Sequence, residues 1–321
     1  MDKAIPYKTN QLIFVLIKLS LVLAAFYFIY HKLTQNANLD FSFFISRITH
    51  NQNFSFQFII LLLVLSSLNW MLEIKKWQLL VEHLLPISFK SASQQTLSAL
   101  TASLITPNRV GDYGAKALYY KPRNRKKIVL LNGLANLMQM AVTLVFGSIG
   151  LSILAKTYTL PFHNQHSLAL AFSLAIGIVL IILLFKHPFV KSVKTKLRNA
   201  LTFLISINIK TQVNTLLLSL LRYSIFSFQF YVILLLFDVN ISYGSAMIIL
   251  STMYLLTSII PSIFIFDIVV KSGIAVYLFG LLSIPAVPVL CATTLMWILN
   301  FVLPSGIGGY FILRFNPLKT E

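Results

Sequence analysis

The chain has 321 residues, 57% of them hydrophobic and 11% charged, with a mean hydropathy of +0.82. A soluble domain needs about a quarter of its residues charged to cover its surface, so this composition excludes an ordinary soluble fold and points to an integral membrane protein. The net charge of +18 comes from 26 bases against 8 acids, but the bases sit in short segments beside apolar runs, which suits anionic lipid and excludes nucleic acid as the partner.

Six stretches are apolar over the roughly 20 residues that a bilayer crossing needs: 11–30, 54–72, 128–154, 166–186, 213–237 and 286–303. The first follows Lys3 and Lys8 as the core of a signal peptide would, yet it is long enough for a full crossing and no small-residue cleavage site follows it, so it reads as a retained span. Residues 93–105 are different. They would make a helix of only about 20 Å, against a hydrocarbon core of about 30 Å, and Thr106-Pro107 stops it. Residues 245–260 reach about 24 Å and stop at Pro261. Each predicts the first limb of a re-entrant hairpin that turns at its proline.

The basic residues were not used to draw these spans, so they test them. With the amino terminus in the cytoplasm, every lysine and arginine of residues 1–10, 73–92, 106–127, 186–210 and 304–321 falls on the cytoplasmic side, and only Lys32, Arg47 and Lys156 on the other. That asymmetry orients the chain with both termini inside, and crossing once more at either hairpin would spoil it. The expected architecture is therefore all-α and polytopic: span, span, hairpin, span, repeated in the opposite orientation. This is an inverted repeat with halves 1–160 and 161–321 in a single domain.

The hairpin turns carry the candidate chemistry. Thr106 and Pro107 suit the N-cap and first position of a helix that begins inside the membrane, where free N–H groups and Arg109 in the first turn would attract a phosphate or carboxylate. Asp112 and Lys116 are one turn apart on that helix with Tyr113 between them, which gives either a lipid phosphate site gated by an ion pair or a buried pair that satisfies itself. Asp267 and Lys271 repeat the spacing after Pro261. Arg222 stands inside the fifth apolar stretch with Gln229 two turns along the same face, either as part of a site or snorkelling to the interface. Asn132, Asn136 and Gln139 share one face of the third span, which suits bonds between helices. Catalytic signatures, a phosphate-binding glycine loop and cysteine-rich metal spacing are missing, and His163-x-x-His166 has no acid or cysteine beside it, so neither cofactor nor metal is expected. Lys121 to Lys127 and the bases of 186–198 read as solvated, orientation-setting loops.

The run Thr106-Pro-Asn-Arg-Val-Gly-Asp-Tyr-Gly-Ala-Lys116, placed after two spans and a short limb, resembles the threonine-proline-glycine-arginine-valine-glycine-glutamate signature of the lysylphosphatidylglycerol synthase transmembrane region, the flippase-like family. The likeness extends over essentially the whole chain. In the second turn Ser262, Ile263 and Phe264 stand where glycines are usual, and Asp267 where glutamate is common. The resemblance implies an inner-membrane protein concerned with moving phospholipid or lipid-linked substrates between leaflets. It also implies no aminoacyl transfer by this chain alone, because the family's enzymes add a large soluble domain after the membrane region. The expected function is a lipid translocator, and the alternative is a non-transporting subunit that positions a partner enzyme of envelope lipid or glycolipid synthesis.

Overall fold

The computed structural model describes residues 55–104, 106, 110–158, 198–259 and 267–316, with side chains from 271 onward in the last range, and a few helical positions between 16 and 49. The elements are α1 (Phe56–Val81), α2 (Phe89–Leu104), α3 (Gly111–Leu118), α4 (Pro122–Thr157), α5 (Ile209–Leu236), α6 (Tyr243–Ile259), α7 (Asp267–Gly280), α8 (Ala286–Trp297), a π-helical turn (Ile298–Val302) and α9 (Leu303–Arg314). Residues 198–205 are also helical, and the described residues contain no strand. The protein is an all-α membrane protein.

Among the described residues α1, α4, α5 and the continuous run Ala286–Arg314 are long and apolar enough to cross a membrane. They match four of the six expected spans. The stretch 166–186 lies outside the described residues and 11–30 almost wholly so. All four helices outrun their apolar windows, α5 by starting at Ile209. Helix α1 continues past residue 72 to Val81, α4 starts at Pro122, and the last continues to Arg314. The basic segment 121–127 is therefore not the loop expected: Lys121 is the N-cap and Pro122 the first helical residue, where its missing N–H is harmless. Helices α2 and α6 are short, about 24 and 26 Å at 1.5 Å per residue, though α2 starts at Phe89, four residues before the expected limb, and is longer than the expected length of about 20 Å.

Large apolar side chains such as Leu63, Val64, Leu144, Val145, Leu217 and Leu221 are exposed, while Asn69, Glu73, Lys76, Thr215, Ser219 and Gln229 are buried. This inside-out pattern is what a hydrocarbon surround selects, because lipid solvates leucine but not an amide. Helix α1 packs along α5, α4 along α6 and α2 along α9, while α3 lies against α2 and α4, and α7 against α6 and α8. Small residues allow the closest approaches. A Cβ on Gly150 of α4 would run into Ser251 Oγ of α6, and one on Gly308 of α9 into the backbone carbonyl of Leu97 on α2. Two apolar clusters form the core. One gathers Leu62, Ile233, Leu234, Ile249 and Phe279, and the other Trp77, Leu80, Ile128, Leu131 and Ile207.

The π turn has an identifiable cause. Pro304 has no N–H to offer the carbonyls of Asn300 and Leu299, four and five residues before it. Both carbonyls are taken by side chains of α1 instead, Leu299 O by Ser66 Oγ at 2.6 Å and Asn300 O by Trp70 Nε1 at 3.1 Å.

Candidate functional site

Helix α1 presents Asn69, Glu73, Lys76 and Trp77 on one buried face, at intervals of three and four residues. Glu73 is 8% and Lys76 1% exposed. The Oε2 oxygen of Glu73 lies 2.7 Å from Lys76 Nζ and 2.8 Å from Arg222 Nη1 of α5. Arg222 Nε donates to Asn69 Oδ1 at 3.1 Å, and its guanidinium sits 5.8 Å from the centre of the Trp70 ring. Arg222 lies midway along α5, about 20 Å from either end. It does not stretch toward a helix end as a snorkelling arginine would. From Asn69 the chain of bonds continues inward: Asn69 Nδ2 to Asn300 Oδ1, Asn300 Nδ2 to Gln229 Oε1, and Gln229 Nε2 to Leu62 O, each 3.0 Å.

The second part of the site stands on α3 and α4. Lys116 Nζ is 3.2 Å from Asp112 Oδ1 and donates to Asn132 Oδ1 at 2.7 Å, while Asn132 Nδ2 donates to Asp112 Oδ2 at 2.6 Å. The three side chains close a ring in which each is satisfied by the other two. Lys116 also lies over the Trp77 ring, 4.7 Å from its centre, which ties this ring to the α1 stripe through a cation–π contact. Asn136 Nδ2 donates to the Tyr113 hydroxyl at 2.9 Å. Behind the ring Gln95 Oε1 accepts from Trp77 Nε1 at 2.8 Å and from the Tyr120 hydroxyl at 2.7 Å. Burial pushes the Tyr120 hydroxyl up to about 12, so it remains a donor.

These groups wall a cavity of about 320 Å³. Trp70, Glu73 and Arg222 form one side, Asp112, Tyr113, Lys116 and Asn136 the other, and Thr96, Leu100 and Ser103 of α2 the third. With Lys76 behind Glu73, the wall holds three cations and two carboxylates, an excess of one positive charge among the described residues. The apolar clusters on either side reduce solvent screening, so the excess acts on an entering anion more strongly than it would at a surface.

Of the residues the sequence pointed to, Asp112, Tyr113, Lys116 and Arg222 line this cavity together. The helix start expected at Pro107 lies outside the described residues. Helix α3 begins at Gly111 after Val110, and the Thr106 hydroxyl accepts from the Gly111 N–H at 2.8 Å, so it still meets one free donor of the helix start. Pro107 and Arg109 lie outside the described residues, as do His163 and His166. Asp267 and Lys271 fall one turn apart on α7, but the Asp267 side chain is outside the described residues. Asn132, Asn136 and Gln139 each bond to another helix, the last by Nε2 to Ser219 O at 3.3 Å. Lys76 and Lys116, expected in cytoplasmic segments, are buried and paired, because Glu73 and Asp112 stand within one turn of them. The sequence reading missed Glu73, Lys76, Asn69 and Asn300. The signal available was the Asn69, Glu73, Lys76 spacing flanked by Trp70 and Trp77, a polar stripe continuous with an apolar helix. No group of three or more His, Cys, Asp or Glu residues suited to a metal occurs among the described residues.

A family model described as the lysylphosphatidylglycerol synthase TM region matches residues 15–308. A search of curated proteins and a search of solved structures each returned no match.

Proposed function

The chain belongs to the lysylphosphatidylglycerol synthase TM family, membrane proteins associated with lipid metabolism or transport, and from that premise we propose that it translocates an anionic or lipid-linked head group. The observation that carries this reading is Arg222. A cation halfway along a membrane helix is costly unless it is used, and this one opens into a cavity wall with one positive charge in excess. Lys116, Asp112 and Tyr113 face the same space. The cavity can take a lipid phosphate while the acyl chains stay outside the bundle. Arg109, two residues before α3 in the sequence, remains a candidate for the same site on its sequence position.

The proposed architecture is an inverted repeat with α1–α4 in one half and α5–α9 in the other. Several correspondences support it. Long α1 matches long α5, the short pair α2 and α3 matches α6 and α7, and α4 matches the run from α8 to α9. The packing exchanges in the same way: α4 on α6 is mirrored by α9 on α2, each at a glycine, and α1 on α5 maps onto itself. In this reading α2 and α6 enter the bilayer without crossing it, both termini are cytoplasmic, and the site lies where the halves meet. The matched region is the family's membrane part, so the proposed activity is movement or binding of lipid rather than transfer chemistry.

Reconstitution into liposomes with a panel of labelled lipids tests the proposal. Protein-dependent movement of at least one anionic lipid between leaflets, lost in Arg222→Gln, is expected. Absence of movement for every lipid would leave the alternative of a membrane subunit acting with a partner enzyme.

A further inference from the structure

Lys76 Nζ and Arg222 Nη1 reach the same carboxylate oxygen of Glu73. Glu73 is thus shared between a lysine side chain 1% exposed and an arginine side chain 24% exposed at the cavity. Thr96, 3% exposed, belongs to the same wall, and its Oγ1 makes no hydrogen bond among the described residues. A buried hydroxyl without a partner is uncommon, since it gives up its bonds to water for nothing, and a ligand oxygen is one way to complete it.

We propose that Glu73 is a built-in competitor for a phosphate diester: the ligand's phosphate replaces Glu73 as the partner of Arg222, Lys76 keeps the displaced carboxylate, and Thr96 donates to the same phosphate. This deepens the head-group reading above and rests on it. The Nη1 group that donates to Glu73 can donate to a phosphate oxygen in its place while Nε stays on Asn69, so the exchange needs no new donor. Expelling Glu73 from its only cation would leave a lone charge in a buried wall, but Lys76 at 2.7 Å keeps it paired throughout. The charge count selects the diester. Three cations and two carboxylates leave one positive charge, which a singly charged phosphate diester neutralises. A strong Arg222–Glu73 pair also keeps the empty cavity from trapping stray anions and helps expel the ligand once it has crossed.

Calorimetric binding of dihexanoyl phosphatidylglycerol to the full chain in detergent tests this, with dihexanoylglycerol and inorganic phosphate alongside. Glu73→Gln is expected to bind the phospholipid about tenfold tighter, the weight of one charge-assisted hydrogen bond no longer contested. The double variant Glu73→Gln with Lys76→Met removes both buried charges, leaves the net charge as it was, and is also expected to bind tighter. Thr96→Val is expected to bind several-fold weaker. Unchanged or weaker affinity in the double variant, at wild-type thermal stability, overturns the exchange and leaves the head-group reading intact. If both Glu73 variants misfold, unchanged affinity in Thr96→Val overturns it instead. No binding of the phospholipid by the wild-type chain, or binding no tighter than that of dihexanoylglycerol, overturns both readings. Inorganic phosphate bound as tightly as the phospholipid keeps the exchange and removes the lipid.

Discussion

Arg222 spends its donors in two directions, Nε on the Asn69 carbonyl and Nη1 on the Glu73 carboxylate. Lysine offers a point charge on a flexible stem and cannot hold both at once. Arg222→Lys is therefore expected to cut lipid movement by about tenfold, the worth of one charged hydrogen bond, with protein level unchanged; wild-type activity would mean that only the charge matters. The Asp112, Lys116, Asn132 ring permits a sharper experiment. Exchanging the two charges, Asp112→Lys with Lys116→Asp, keeps an ion pair, and Asn132 can turn its amide over to present oxygen where nitrogen was. The swapped protein is expected to fold but to lose lipid movement, because the acid and the base have traded places in the cavity wall. Full activity would remove this pair from the site. Asp112 and Lys116 were legible in the sequence because their partnership is one helical turn long. Arg222 was legible as a cation inside an apolar stretch, but Glu73 and its pairing with Arg222 were not, because 149 residues separate the two and nothing local marks the pair.

Sequence reading of the elements failed at their ends for a common physical reason. An apolar window stops at the first charge, but a helix does not have to. In α1 the helix runs on through Glu73 and Lys76 because each neutralises the other inside the bundle. In α4 the bases from Arg123 to Lys127 occupy the first turns, where Arg125 Nε donates to Tyr120 O at 3.0 Å and Lys127 lies over the Phe203 ring. The short helices α2 and α6 were legible as short because their apolar runs are too brief for a crossing, although each starts before the expected limit, at Phe89 and Tyr243. The π turn was not, since it depends on side chains of α1 donating to the carbonyls that Pro304 leaves free. Small residues at the α2–α9 contact allow a controlled comparison. Gly308→Ala puts a methyl against the Leu97 carbonyl, whereas Gly306 on the same helix has nothing within 4 Å of its added Cβ. Gly308→Ala is expected to lower stability by about 1–3 kcal/mol, and Gly306→Ala to leave it equal or slightly raised through helix propensity. Equal melting of the two variants in detergent would mean that the helices can separate freely at this contact.

At the level of the whole molecule, the distribution of bases predicts on which side each loop lies. Cysteines placed at Arg123, which is exposed, and at Lys194 are expected to react only with a reagent added on the cytoplasmic side, and those at Asn38 and Asn164 only from the other. The native Cys291 is buried and should stay silent. Labelling of the Arg123 and Lys194 positions from opposite faces would remove the re-entrant arrangement and with it the inverted repeat. The carbonyls freed by Pro304 bear on how such a molecule is made. A peptide oxygen with no donor in hydrocarbon costs several kcal/mol, and the last long helix carries two of them until Ser66 and Trp70 arrive from more than 200 residues earlier in the chain. During synthesis that helix cannot come to rest in the bilayer by itself. It has to find α1, already waiting there, so a late segment of the membrane region is stable only once it has docked on one made more than 200 residues before it.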